Sequence, residues 1–201
     1  MKLNYTYKSL AAALLLLASC KPEIHTPAPS AGKADFSTYI AVGDSQTAGY
    51  ADGGLYLAGQ MNSFPAIIAG QLKKVGGGAF NQPLFSVAQM NGSGYIRLAG
   101  FNPDGTPITK PVTNNLAIRG SQPIPGYGNV TLYTKYTGDN NNYGVAGIKL
   151  SQILYAPYGN LNGYFERLLP NNSPANTTTY LDYVTSNKPC LLYTSPSPRD
   201  S

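Results

Sequence analysis

The chain is poor in charge, in cysteine and in histidine. Of its 201 residues only 11% are Asp, Glu, Lys or Arg, where a typical globular domain carries about 25%. Low charge without an excess of apolar residues argues against a charge-rich disordered tail. The net charge of +5 is scattered, and Lys73-Lys74 is the only adjacent basic pair. With no basic stripe interleaved with aromatics, nucleic-acid binding is not expected. The lysine pair suits the solvated last turn of a helix, where cations meet the negative end of the dipole. One histidine and two cysteines, with the acids spread along the chain, provide no metal-ligand cluster, and neither metal nor cofactor is called for. No apolar run reaches the ~20 residues that span a bilayer, and no heptad or solenoid period recurs. The 22 glycines and 16 prolines imply many turns and no long helical bundle.

The two ends differ from what lies between them. Lys2 and Lys8 form a short positive region, followed by the Leu/Ala run Leu10 to Ala18, which is about half a membrane span. That pattern is a signal peptide, residues 1–19. It ends in Leu17-Ala18-Ser19-Cys20, which resembles the bacterial lipobox, so the Cys20 thiol is expected to carry a diacylglycerol. Each buried methylene adds ~0.8 kcal/mol, so several acyl chains anchor a protein durably. Residues 20–35 are rich in Pro, Ala and Ser, a tether between lipid and domain. The expected location is the cell envelope, on the outer membrane, facing the periplasm or the surface.

At the other end, Cys190-Leu191-Leu192-Tyr193-Thr194-Ser195-Pro196-Ser197-Pro198-Arg199-Asp200 breaks from the preceding pattern. It matches the translation of a transposon-end sequencing adapter, so residues 190–201 are expected to be a non-native tail on a truncated chain. The alternative is a genuine Ser/Pro-rich linker. With Cys20 lipidated and Cys190 adapter-derived, no disulfide is expected.

Between the ends, Phe36-Ser37-Thr38-Tyr39-Ile40-Ala41-Val42 is aromatic and β-branched and stops at Gly43, the pattern of a buried strand. Gly43-Asp44-Ser45-Gln46-Thr47-Ala48-Gly49 follows. It places a serine just beyond the carboxyl end of a strand, where open α/β sheets bind ligands. Gly43 allows a tight turn there and Asp44 can bond the nearby amides. Asn62 to Leu72 reads as a helix, capped by Asn62 or Ser63, with Pro65 in the first turn and Phe64, Ile67, Ile68 and Leu72 in one stripe.

Here the chain resembles the SGNH, or GDSL-type, hydrolases. Tyr39-Ile40-Ala41-Val42-Gly43-Asp44-Ser45-Gln46-Thr47-Ala48-Gly49-Tyr50 looks like the first block of that family, whose serine is the nucleophile; Gln46 replaces the name-giving leucine. Gly53-Gly54-Leu55-Tyr56 and Gln60-Met61-Asn62-Ser63-Phe64-Pro65 are similar to a lipoprotein branch found in Bacteroidetes. Asn142-Tyr143-Gly144-Val145-Ala146-Gly147-Ile148-Lys149-Leu150 resembles the second block, in which a strand ends in Asn and a Gly-containing turn enters a helix, here Ile148 to Leu154. By that resemblance the Gly147 backbone N–H faces the oxyanion; on the residues alone the segment reads equally as a plain Gly-rich turn.

The resemblance implies an α/β fold, a flavodoxin-like parallel-sheet sandwich, of which residues 36–189 are the N-terminal part. An insertion at about 80–141, rich in Gly, Pro, Asn and Tyr, interrupts it, with strands expected at Tyr95-Ile96-Arg97-Leu98 and Val130 to Tyr136. The family completes its site with an Asn in a third block and a distal Asp-x-x-His, whose His takes the serine proton. Neither segment occurs here: the one histidine, His25, lies in the tether with Pro22 three positions before it. Tyr180 to Pro189 looks like the helix and turn before the third block's strand. The implied function is ester hydrolysis by Ser45, on a lipid or an acylated carbohydrate, in a chain that as given lacks its base and is expected to be inactive. The alternative is a non-catalytic surface lipoprotein that binds glycans on a relic of the same fold.

Overall fold

A computed structural model describes residues 27–170 and 175–186 and the backbone of 191–194. Cys20, His25 and Cys190 fall outside those residues.

The first strand, β1 (Tyr39–Val42), runs directly into the one-turn helix α1 (Ser45–Ala48). A small hairpin of β2 (Tyr50–Ala51) and β3 (Gly54–Leu55) follows. Asp52 and Gly53 both have positive φ, 53° and 78°, the conformation that the two-residue hairpin turn requires and that Asp-Gly tolerates. Then come α2 (Leu57–Met61) and α3 (Phe64–Leu72). The latter matches the helix predicted from the apolar stripe, with Pro65 in its first turn and the two lysines in the 3-10 turn Lys73–Val75 that ends it.

Two antiparallel hairpins fill the middle of the chain: β4 (Tyr95–Phe101) with β5 (Pro107–Val112), and β6 (Ile118–Ile124) with β7 (Gly128–Tyr133). Both strands predicted there exist, each displaced or extended by a few residues. The first hairpin is almost wholly exposed, Leu98 by 55% and Phe101 by 64%. Each hairpin returns to its own starting point. Gly92 bridges Leu116 and accepts from the Ala117 N–H at 2.7 Å, while the Thr134 N–H reaches the Ala117 carbonyl at 2.8 Å. Short helices α4 (Tyr158–Leu161), α5 (Gly163–Glu166) and α6 (Tyr180–Thr185) follow, and β8 (Leu191–Thr194) ends the described backbone.

The architecture is mixed α/β with small, two-stranded sheets, three of them antiparallel. Among the described residues, parallel pairing of strands is confined to β1 and β8, in register from Tyr39↔Leu191 to Val42↔Thr194. On its other flank β1 meets a second extended segment in parallel. The Ala41 N–H donates to Asn141 O at 2.8 Å, the Tyr143 N–H to Ala41 O at 2.7 Å and the Val145 N–H to Gly43 O at 3.0 Å. β1 is therefore the middle of three extended segments drawn from distant parts of the chain. That Leu191–Thr194, expected to be adapter-derived, pairs here follows from backbone chemistry: ladder bonds are made by main-chain groups, and an open strand edge accepts any segment of sufficient strand propensity.

The main apolar cluster joins Ile40, Tyr143 and Val145 to Tyr158, Phe165, Leu169, Tyr180 and Val184, so α4, α5 and α6 pack on β1 and its 141–145 neighbour. A second cluster, with Leu55, Phe85, Ala117 and Tyr133, lies beneath the hairpins. Polar groups tie the two. Glu166 accepts from Arg119 at 2.7 Å and from Lys135 at 2.6 Å. Arg167, buried, lies over the Phe85 ring and donates to Pro83 O at 2.8 Å, and burial lowers its pKa to about 10.

The helix predicted at Ile148 to Leu154 is replaced by a 3-10 turn, Leu150–Gln152, preceded by extended Lys149. Leu150 and Leu154 remain 70% and 71% exposed. Ile148 and Ile153 instead turn onto the main apolar cluster, so only part of the segment's apolar surface is buried, and helices draw most of their stability from such packing.

Candidate functional site

The turn after β1 is built by three short-range devices. Gly43 stands where a Cβ would run into the Thr47 side-chain oxygen. Asp44 caps α1, its Oδ1 accepting from the Gln46 N–H at 3.1 Å. Such a cap satisfies one of the free amides at a helix start. Gly49, with φ of 82°, ends the turn by donating to Gln46 O at 3.2 Å. Ser45 thus sits at the first position of the helix, half-buried, just past the carboxyl end of β1.

The second half of the site arrives from residues 141–147. Asn142, 2% exposed, donates through Nδ2 to Thr47 O at 2.9 Å and to Gln82 Oε1 at 3.1 Å. Its Oδ1 accepts from the Gly144 N–H at 3.0 Å. One side chain therefore fastens the 141–147 segment to the end of α1. Gly144 packs so closely on that helix that a Cβ would lie 2.7 Å from Ala48 Cα. The chain then turns at Gly147, whose φ is 82°, and the Gly147 N–H donates to Ser45 Oγ at 3.1 Å. Ser45 and Gly147, the two residues singled out from sequence, are brought together across 102 positions.

Two buried side chains support this junction. The Tyr180 hydroxyl donates to Tyr143 O at 2.7 Å and accepts from the Gly43 N–H at 3.3 Å. It thereby joins α6 to both halves of the site. Burial pushes its pKa up, partly offset by the Gly43 amide bond, so the phenol stays a neutral donor. Asn162 caps α5, its Oδ1 accepting from the Tyr164 and Phe165 N–H groups at 2.9 and 3.0 Å. Its Nδ2 donates to Ala146 O at 2.9 Å and to Tyr158 OH at 2.8 Å. Burial raises the Tyr158 pKa to about 12, with the Asn162 bond opposing it.

Chemically, the arrangement offers a serine hydroxyl with a backbone N–H donor 3.1 Å from its oxygen. An acyl-transfer site needs donors close to the oxygen that becomes negative. No imidazole accompanies them among the described residues, and the Asp44 carboxylate is engaged in its cap. The described residues bring together no group of three His, Cys, Asp or Glu that could hold a metal ion. They also contain no helix long and apolar enough to cross a membrane.

Sequence reasoning missed the roles of Asn162 and Tyr180. Asn before Gly163-Tyr164-Phe165-Glu166 is a recognisable helix cap, which would have located Asn162 but not its hold on Ala146. Tyr180 was visible only as part of a helix. No family model, no curated protein and no solved structure matches the chain.

Proposed function

We propose that this chain carries the nucleophile half of an SGNH-type ester hydrolase of the bacterial cell envelope. Ser45 is the nucleophile, and the Ser45 and Gly147 backbone N–H groups stabilise the oxyanion. Ser45 Oγ bonds to the carbonyl carbon of an ester, the alcohol leaves with a proton, and water then releases the acid from the acylated serine. The observation that carries this reading is the 3.1 Å bond from the Gly147 N–H to Ser45 Oγ, because it aligns a developing-charge donor with a nucleophile at the end of a strand. Parallel pairing of β1 with the 141–145 segment supports a parallel-sheet core around it, the N-terminal part of a flavodoxin-like sandwich. The base is assigned to an Asp-x-x-His segment that this chain does not contain, and without it a serine hydroxyl is a weak nucleophile. The substrate class is an ester of a lipid or an acylated carbohydrate.

The test is a serine-reactive fluorophosphonate, applied to this chain and to the chain joined to its natural continuation. The expected result is weak labelling of the former, labelling at Ser45 and ester turnover in the latter, and loss of both in Ser45→Ala. A folded, continued chain that neither labels nor turns over ester, or whose turnover survives Ser45→Ala, refutes the assignment. Anchoring through a lipidated Cys20 is part of the same proposal. Detergent-phase partition of the cell-expressed protein, retained in Cys20→Ser, would count against it.

One observation favours the glycan-binding alternative. A cleft of about 800 Å³ lies near the amino end of β1, lined in part by Asn81, Tyr136, Asn140, Asn141 and Tyr183. Amides and phenol rings are groups that suit sugar hydroxyls and faces. Retention on immobilised glycans without ester turnover in the continued chain would select this reading.

A further inference from the structure

We infer that Asn162 is a positioning residue that fixes the direction of the Gly147 N–H toward Ser45, by holding the Ala146 carbonyl on the opposite side of the same peptide unit. The inference rests on the assignment of Ser45 and Gly147 above.

Val145 to Ile148 is a turn, closed by the Ile148 N–H on Val145 O at 3.3 Å. With Gly147 at φ of 82° it has the type II form, which differs from type I by the direction of its central peptide. The closing bond is the same in both forms, so it does not choose between them. Glycine does not choose either, since it takes both signs of φ at little cost. A peptide unit is planar with its C=O and N–H pointing oppositely. Whatever holds the Ala146 carbonyl therefore aims the Gly147 amide. In the other form of the turn a carbonyl oxygen would face the nucleophile, with the wrong polarity to stabilise an anion.

Asn162 supplies the hold. Its Nδ2 lies 2.9 Å from Ala146 O, and the amide is itself immobilised. The oxygen takes two backbone N–H groups of α5 and the second amide proton goes to Tyr158 OH. Both donors and both acceptor positions of the side chain are used. The two N–H groups on Oδ1 fix which end of the amide faces Ala146.

The inference is tested with Asn162→Asp, which keeps an oxygen to cap α5 and loses the amide donor, and with Asn162→Ser, which caps without a charge. The readout is the Gly147 amide in proton–nitrogen NMR spectra of the chain. In the parent, Ser45→Ala should shift the Gly147 amide proton upfield, as a lost hydrogen bond does. The Asn162 variants, with unchanged Tyr164 and Phe165 amides as the sign of an intact cap, should show the same upfield shift and no further response to Ser45→Ala. Variants that keep the cap and leave both the Gly147 amide and its response to Ser45→Ala as in the parent overturn the inference alone. A parent whose Gly147 amide ignores Ser45→Ala overturns the Ser45–Gly147 pairing itself, and the role of Asn162 with it.

Discussion

Asn142 is the side chain whose loss should cost the junction most, and the cost can be worked out bond by bond. Asn142→Ala removes the donor to Thr47 O at 2.9 Å, the donor to Gln82 Oε1 at 3.1 Å and the acceptor of the Gly144 N–H at 3.0 Å. Thr47 and Gly144 are buried, so their main-chain groups lose a partner where water does not readily replace it. At about 1–3 kcal/mol for each buried group left unpaired, the two together come to about 2–6 kcal/mol. Set against a total stability of about 5–15 kcal/mol, that is a large share. A water admitted to the vacated space would hold the figure near its lower end. Urea unfolding followed by circular dichroism measures it. With a slope of about 1–3 kcal/mol per molar, the midpoint should fall by roughly 1 M or more while the slope stays the same. Asn142→Asp, which retains the acceptor for Gly144 and loses both donors, should also be destabilised, and more so as the pH rises and the buried carboxyl is forced to ionise. A loss below about 1 kcal/mol for Asn142→Ala, at unchanged slope, would refute the view that this amide joins the 141–147 segment to α1.

Two further outcomes follow from the same geometry. Gly144→Ala places a Cβ 2.7 Å from Ala48 Cα and against the Thr47–Ala48 peptide; overpacking of this kind costs about 1–3 kcal/mol, measurable as a lowered thermal midpoint, and an unchanged midpoint would show that the contact is slack. The Tyr56 phenol donates to the Asp52 carboxylate at 2.6 Å, and that bond, then burial, then the Asp52 charge raise its pKa to about 12. The folded state therefore keeps this proton longer than the unfolded chain, and the stability from the bond is full below pH ~10, the unfolded value, and is lost as pH rises through the folded one. Ultraviolet titration of the phenols should show Tyr56 moving down in Asp52→Asn, and a titration curve indifferent to that change would refute the cause given.

What could be read from the sequence was local. β1, α3 and the Asp44 cap depend on residues within a few positions of one another, so spacing and residue type suffice. One strand of each hairpin, β4 and β7, showed in the alternation around Tyr95-Ile96-Arg97-Leu98 and Val130 to Tyr136, while their partners β5 and β6 did not. Gly147 was found through family resemblance alone, since nothing around it says which serine it will meet. Asn162 was missed because its decisive contact is a main-chain carbonyl 16 positions away, and a carbonyl has no residue identity to recognise. The helix expected at Ile148 to Leu154 came through the same family resemblance, and in the structure the segment is a single 3-10 turn with only Ile148 and Ile153 of its apolar residues packed on the main cluster.

The two hairpins differ in how freely such a protein can change them. The first leaves and rejoins at one neck, Gly92 with Leu116. Beyond it, among the described residues, it meets the body only near β2 and β3, where the Ile96 N–H donates to Asp52 O at 2.8 Å and Tyr95 stacks on Tyr56. The second is built into the body: Arg119 bonds Glu166 and Tyr133 stacks on Tyr164. Only the first behaves as a cassette. Lengthening a loop between fixed ends costs only about 0.6 kcal/mol per doubling, and this hairpin supplies no group to the bonds between Ser45, Asn142, Gly144, Gly147 and Asn162. Evolution, or an engineer, can therefore exchange the first hairpin by grafting at its neck, without renegotiating the few hydrogen bonds that aim the serine, whereas any change to the second is felt by the helix that Asn162 caps.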